Sequence, residues 1–536
     1  MKIDRFGKPS NYPNNNMTKK TSLFNPNKLL GGKQFNADTD IIASLRSNDK
    51  YGYENIFPIR NPFNPTDQHL NELAKFMTSR IDKSDSEIPA GYTYLSQFIA
   101  HDISLDSENR TDPWTDINPS TISNKRNPFF DLETIYGFDE PANSNETRRS
   151  DLLAPGSSSR LNLGETVGEN TGGIIKPFPN DLPREANSSK PVIVDGRNDE
   201  NLAVAQTQVA FIKFHNAIVK KLNEADTTEL FEKARRIAIR HYQWIILHDF
   251  LPKIVKKSVL DDVLENSNKF YFPDPANPFL PLEFSFAAFR LGHSMVRNSY
   301  QWNRIFNEDD SRPHATLDQL AKFTHRGGGL ERHKKLQSAW LINWNWFYDV
   351  NDSRNEQQER FNFARKIDGF IAKPLGKFRD PLALEFKREN SLPAFDLYRN
   401  RALGLPSGQA IARKMQEKIP VEILDPQELA NLLPDNLKNI FKDETPLWFY
   451  ILAEARIETL QNNNPGGTLG DVGSRIVAET FVELLKIGPH SILRDDLQSD
   501  EEFLGEDGIF GMPEMLKFIA SKNEDFDELN PTKLSD

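Results

Sequence analysis

A mostly α-helical fold is predicted for these 536 residues by three features. Apolar residues recur at three-to-four spacing over long stretches, β-rich runs are short and few, and no linker divides the chain. The hydrophobic content of 38% in a chain of this length is enough to bury a large core.

In chain order, the first 34 residues are rich in Asn, Lys and Pro with little apolar periodicity. Residues 1–37 are therefore expected to form a flexible arm. Residues 38–520 are expected to form one domain. Within it, residues 106–125 and 142–159 are polar and read as surface loops. Residues 202–222, 229–255 and 282–297 carry the helical period, as do 447–461 and 474–486. Gly327-Gly-Gly329 reads as a flexible loop, since a lone glycine run is a poor signal for a phosphate cradle. Residues 521–536 are acidic and polar and are expected to fray as a tail.

The formal charge of −11 argues against a nucleic-acid surface, which needs a basic face. The chain has no cysteine, which excludes disulfides, thiolate-ligated haem, iron–sulfur clusters and zinc–thiolate sites. No run approaches the roughly 20 apolar residues needed to cross a bilayer. The first residues lack the apolar core of a secretory signal, so a cytoplasmic protein is expected. Export by a non-standard route would leave the same sequence.

The run Tyr94-Leu-Ser-Gln97-Phe-Ile-Ala-His101-Asp102 places a histidine and a carboxylate side by side on an apolar, helix-compatible segment. Helical neighbours point about 100° apart, so His101 and Asp102 face different surroundings. Read alone, His101 is as well explained by a buried, hydrogen-bonded core histidine. Three further runs follow: Asn127-Pro-Phe-Phe-Asp131-Leu-Glu133-Thr-Ile-Tyr-Gly137, Asp195-Gly-Arg197-Asn-Asp-Glu200-Asn201, and Phe289-Arg290-Leu-Gly-His293. In this order they resemble the animal-type haem peroxidases of the peroxidase–cyclooxygenase superfamily, in particular its bacterial members. The resemblance extends from about residue 85 to about residue 518. It includes Arg399-Asn-Arg401-Ala-Leu-Gly-Leu-Pro406 behind the proximal face of the haem.

The resemblance implies a helical core around haem b, with few short strands. His101 would be the distal base, Arg197 the distal cation, and Gln97, one turn before His101, a donor to distal water or halide. His293 would be the axial iron ligand, with Arg290 and Arg399 pairing the propionates. Ungapped alignment through Gly404-Leu-Pro406 puts Asp396 behind His293, where most relatives have asparagine. A carboxylate there pushes imidazolate character onto the ligand and lowers the reduction potential.

Ala100 stands where mammalian members carry an ester-forming aspartate, and Asn201 where some carry a methionine. Glu200 is then the remaining position for an ester link to haem. Asp102, Asn127, Phe129 (through its carbonyl), Asp131 and Glu133 match the family's calcium site, whose ion wants six to eight oxygens.

The expected activity is reduction of H2O2, through an oxyferryl intermediate, by a small electron donor: bromide or iodide rather than chloride, or an aromatic compound. Three alternatives stay open. One is a fatty-acid dioxygenase of the cyclooxygenase branch, although Arg290 occupies the position of that branch's radical tyrosine. The others are a haem-binding adhesion scaffold and a non-haem metal protein.

Overall fold

Helical periodicity becomes a mostly helical body in the computed structural model. It describes residues 51–59, 63–79, 85–106, 116–137, 150–169, 174, 176–307, 314–356, 358–377, 391–461, 467–493, 509–522 and 527–533. The expected N-terminal arm, residues 1–37, lies outside the described residues.

The principal helices are α1 (Asp67–Ser79), α2 (Gly91–Ile103), α3 (Leu202–Leu222) and α4 (Thr228–Ile245). They are followed by α5 (Leu392–Ala402), α6 (Leu447–Gln461), α7 (Asp471–Ile487) and α8 (Met512–Ser521). Side-chain caps define where several start. The Asn201 side chain accepts from Val204 N at the head of α3, and that of Thr227 from Leu230 N at the head of α4.

The strands are short. β1 (Tyr51–Glu54) lies between β3 (Ser123–Asn124), antiparallel, and β4 (Phe279–Pro281), parallel. β2 (Asp85–Pro89) pairs with β7 (Phe363–Arg365), and β5 (Ser299–Tyr300) with β6 (Ala315–Thr316). No helix among the described residues is long and apolar enough to cross a membrane.

Helix α2 is held by aromatic packing. Phe98 stacks on Phe211 of α3 with centroids 4.8 Å apart, and both rings meet Tyr242 of α4 edge-on at 6.2 and 5.5 Å. All three are fully buried, and each such ring contributes about 1.5–3 kcal/mol through removal from water. A second aromatic cluster lies behind the 282–295 segment: Phe284 stacks on Phe289 at 4.9 Å, and Phe481 of α7 meets both.

Two of the expected helices are broken. The 229–255 run is α4, then a π turn over Ile246–Phe250, then a short helix Leu251–Ile254. Pro252 has no N–H and its ring crowds the carbonyl four residues back, which a widened turn accommodates. The 282–297 run is split into Leu282–Phe286, a 3₁₀ turn Ala288–Leu291 and Gly292–Met295. The carbonyls released at the break are taken by side chains: Asn400 Nδ2 donates to Phe286 O at 2.6 Å and Arg290 Nε to Ser285 O at 3.1 Å.

The glycine run does not form an open loop. Gly327 folds back so tightly on Ala321 and Lys322 that a Cβ would fall 2.1 Å from the Ala321 carbonyl. At the other end, residues 527–533 do not fray. Glu528 is buried, and its carboxylate takes Lys213 Nζ of α3 at 2.5 Å, while Leu529 O accepts from Trp344 N at 2.8 Å.

Candidate active site

Helix α2 brings His101 into a buried position, 8% exposed. Its Nδ1 lies 2.7 Å from Asn198 Oδ1. Asn198 Nδ2 donates to Thr134 Oγ1 (2.8 Å) and Gln208 Oε1 (2.6 Å), so its oxygen must accept and the His101 proton sits on Nδ1. Nε2 is left as the basic nitrogen. Burial first, and the nearby Arg197 cation second, push the imidazole down to about 3, so it is neutral at physiological pH.

Arg197 lies in the 3₁₀ turn Gly196–Asp199, capped by the Asp195 side chain. Its Nη2 donates to His101 O (3.1 Å) and Ser104 O (2.7 Å), closing the C-terminal carbonyls of α2, and pairs with Asp195 Oδ2 at 2.6 Å. Burial raises the Asp195 carboxyl, but Arg197 foremost, with His101 and Arg126, more than offsets this and holds it below the ordinary range. The guanidinium is thus fixed against the histidine's backbone and not bonded to its ring. Gln97 Oε1 accepts from Asn201 Nδ2 at 3.0 Å, joining the two distal segments.

His293 sits across from α2, and the two segments touch at Gly292. A Cβ there would fall 2.8 Å from Ser96 Oγ. The His293 Nδ1 is 2.8 Å from Asp396 Oδ2 of α5, a contact 103 residues distant in sequence. The sequence-predicted aspartate is therefore behind this histidine, and Nε2 is directed away from it. The Trp448 ring meets His293 edge-on at 6.2 Å.

Arg290 lies 3.9 Å from Asp396 Oδ1, and Arg399 pairs with Asp106. Burial pushes the Tyr53 phenol up, while Arg197, Arg290 and Arg399 all act to lower it, so three guanidinium groups from separate elements lie within electrostatic reach of one ring. Arg399 Nε is buried without a hydrogen-bond partner. A carboxylate-backed imidazole, a second, neutral imidazole and clustered arginines suited to propionates form a donor set that fits haem. Glu200 is in an ion pair with Arg326.

The predicted calcium residues do come together, but their oxygens are turned to protein donors. Asp102 accepts from Leu132 N (3.2 Å) and Thr134 N (3.0 Å), and Asp131 from Asn127 Nδ2 (2.7 Å). Leu132 is held in the left-handed region, φ 56°, by this arrangement. Glu133 takes Asn127 N (2.9 Å) and the buried Arg126 guanidinium (2.6 Å), which also reaches Asp195 at 2.8 Å. Phe129 N donates to Asn127 Oδ1 at 3.0 Å. Among the described residues no three His, Asp or Glu side chains form a metal-holding group. Burial first, and the charges of Asp131 and Glu133 after it, push the Asp102 carboxyl well up, so three carboxylates lie within electrostatic reach of one another, and Arg126 supplies one positive charge to the group.

Sequence reasoning missed Asn198, Asp195, Asp106 and Arg126. Asp195 and Asn198 flank Arg197 in the run that carries it, and Arg126 directly precedes the Asn127 loop, so local charge and amide content were the available signals.

The animal haem peroxidase family model matches residues 80–485. The chain belongs to this family. Among curated animal haem peroxidases it is 25% identical over 377 residues to the chorion peroxidase of Drosophila melanogaster, covering 66% of this chain and 40% of that protein. It is 27% identical over 329 residues to heme peroxidase 2 of Caenorhabditis elegans, covering 58% and 41%. The chain thus spans about two fifths of the length of these relatives.

The fold is shared with solved members of the wider superfamily. Peroxidase A of Dictyostelium discoideum superposes with a TM-score of 0.53 at 17% identity, covering 82% of this chain and 88% of its own. The Oryza sativa fatty acid alpha-dioxygenase with palmitic acid gives 0.53 at 13% identity, covering 86% and 78%.

Proposed function

We propose that this chain is a haem peroxidase that reduces H2O2 with electrons from a small donor: bromide or iodide in preference to chloride, or an aromatic compound. The observation that carries the reading is a pair of imidazoles with different partners. His101 is neutral, with Nε2 free to act as a base, and His293 is backed by a carboxylate. Haem b, when bound through His293, supplies the redox chemistry.

His101 Nε2 takes the proton from the near oxygen of peroxide and returns it to the leaving oxygen. Arg197 contributes a fixed positive charge beside that transfer, and Gln97 orients distal water. Arg290 and Arg399, now beside Asp396 and Asp106, would hold the propionates. Asp396 orients His293 and favours the oxidised states of its ligand sphere, which suits easily oxidised donors over chloride. An ester to haem through Glu200 would require that carboxylate to leave Arg326. A Glu200→Gln variant whose haem becomes extractable by acidic solvent would demonstrate that bond.

The test is stopped-flow absorbance of the haem-loaded chain mixed with H2O2, with and without bromide or a phenol. A Soret band that changes on mixing and recovers faster with donor supports the reading. A Soret band indifferent to H2O2 would leave a haem-binding scaffold, and its absence would remove haem altogether. The dioxygenase alternative shares the fold, but Arg290 stands at the radical-tyrosine position. Oxygen uptake driven by a fatty acid would revive it.

A further inference from the structure

Away from the histidines, a surface cleft of about 480 Å³ opens beside the π turn. The wide turn sets Trp244 and His248 side by side, ring centroids 4.1 Å apart, on its wall. Such turns interrupt a regular helix at a cost and are frequent at functional sites. The cleft is also lined by Tyr92 of α2, the helix that carries Gln97 and His101.

Tyr92 is 2% exposed, and its hydroxyl donates to both oxygens of Asp249, at 2.7 and 2.8 Å. Lys253 lies over the Tyr92 ring at 4.7 Å and bonds Asp249 Oδ1 at 2.5 Å. A buried phenol with a carboxylate in line can lose an electron without stranding a charge, because its proton moves to the carboxylate as the electron leaves. Tyr92 and His101 are nine residues apart on one helix, about 13 Å along its axis.

The charges around the cleft are unequal. Glu87, Asp249, Asp349 and Glu514 face Lys253 and Arg354. An aromatic wall with an excess of carboxylates suits a flat, positively charged ring compound, through stacking and cation–π attraction.

The geometry points to a second donor site in this cleft, for a small cationic aromatic reductant, with Tyr92 as the electron relay to the haem side. The inference rests on the peroxidase reading for its oxidant. Tyr92 passes one electron toward the oxidised haem and its hydroxyl proton to Asp249, becoming a neutral phenoxyl. The bound donor then gives one electron to Tyr92, Asp249 returns the proton, and the donor departs one electron poorer, releasing its own proton to water.

Equilibrium dialysis of the haem-loaded chain without peroxide, using tyramine and the anionic 4-hydroxyphenylacetate, tests the site. Tyramine is expected to bind roughly tenfold or more tightly, a difference of about 1.4 kcal/mol. Trp244→Ala and Glu87→Gln should each erode that preference. Equal binding of the two compounds, or indifference to Trp244→Ala, would overturn the site.

Freeze-quench paramagnetic resonance after H2O2 tests the relay. Tyr92→Phe keeps the ring packing and should abolish an organic radical signal while the first absorbance change with peroxide proceeds at the unaltered rate. An unchanged radical in Tyr92→Phe would overturn the relay. If the chain does not react with H2O2 at all, the peroxidase reading and the relay fall together, and the dialysis still decides the site.

Discussion

His101 and Asn198, 97 residues apart, meet at 2.7 Å with the imidazole Nδ1–H pointing at the amide oxygen. Asn198 has no freedom to turn, because Thr134 and Gln208 hold its amino group. Thr134 N in turn bonds Asp102, the residue after His101, so the base is gripped from its ring and from its own helix. The proposed proton transfer needs one tautomer, and Asn198 selects it.

Asn198→Leu should therefore slow peroxide cleavage by about 10²-fold, the lower range for a misplaced general base, with haem retained. Asn198→Asp keeps an acceptor at the same place and should recover part of the rate. Stopped-flow rates against H2O2 concentration measure both, and equal losses in the two variants would mean that Asn198 acts only by filling space.

Arg126 is the cation of the Asn127–Glu133 loop. Arg126→Met should destabilise the fold by about 3–5 kcal/mol, because Glu133 and Asp195 lose their buried partner. A calcium chelator should leave the melting temperature of the native chain unchanged. A fall in melting temperature with chelator, reversed by calcium, would place an ion on the carboxylates that Arg126 leaves unneutralised.

Asp396→Asn converts the acceptor behind His293 from a carboxylate to an amide. The haem reduction potential should rise, and haem affinity or activity should fall roughly 10–100-fold. Spectroelectrochemical titration of the loaded chain reads the potential, and an unchanged value would detach Asp396 from the axial ligand.

Glu454 is fully buried in α6 and accepts from Val472 N (3.1 Å) and Gly473 N (3.3 Å) at the head of α7. Burial pushes its carboxyl up to about 8. The folded state then holds a proton that the unfolded state releases near its ordinary value of 4.5. Stability from this group is complete below that value and declines as pH rises toward 8. Glu454→Gln should flatten this part of the stability–pH curve in urea titrations, and an unaltered slope would refute the shift.

Legibility followed the range of the interactions. The bounds of α3 and α6 match the periodic runs at 202–222 and 447–461, because nothing outside those helices competes with their own period. The break near Ala287 was not legible, since it depends on Asn400, 114 residues away from the carbonyl it takes. The placement of Asp396 behind His293 was readable from flanking residues. Asn198 and Asp106 were not, because each acts across a long separation, Asp106 on Arg399 at 293 residues. The loop at Asn127 was legible as a group of oxygens suited to a cation, but the share of its charge that the adjacent Arg126 neutralises was not.

The bond between Lys213 and Glu528 closes a span of 315 residues. During synthesis α1 to α4 leave the ribosome long before residue 528 exists, so until then the Lys213 ammonium has the Asn180 side chain but not its carboxylate partner. The pairing of Glu528 is therefore among the last contacts that the growing chain can make. Expression with a chaperone that shields the surroundings of Lys213 should raise the yield of folded chain more than slowing the synthesis of its first half.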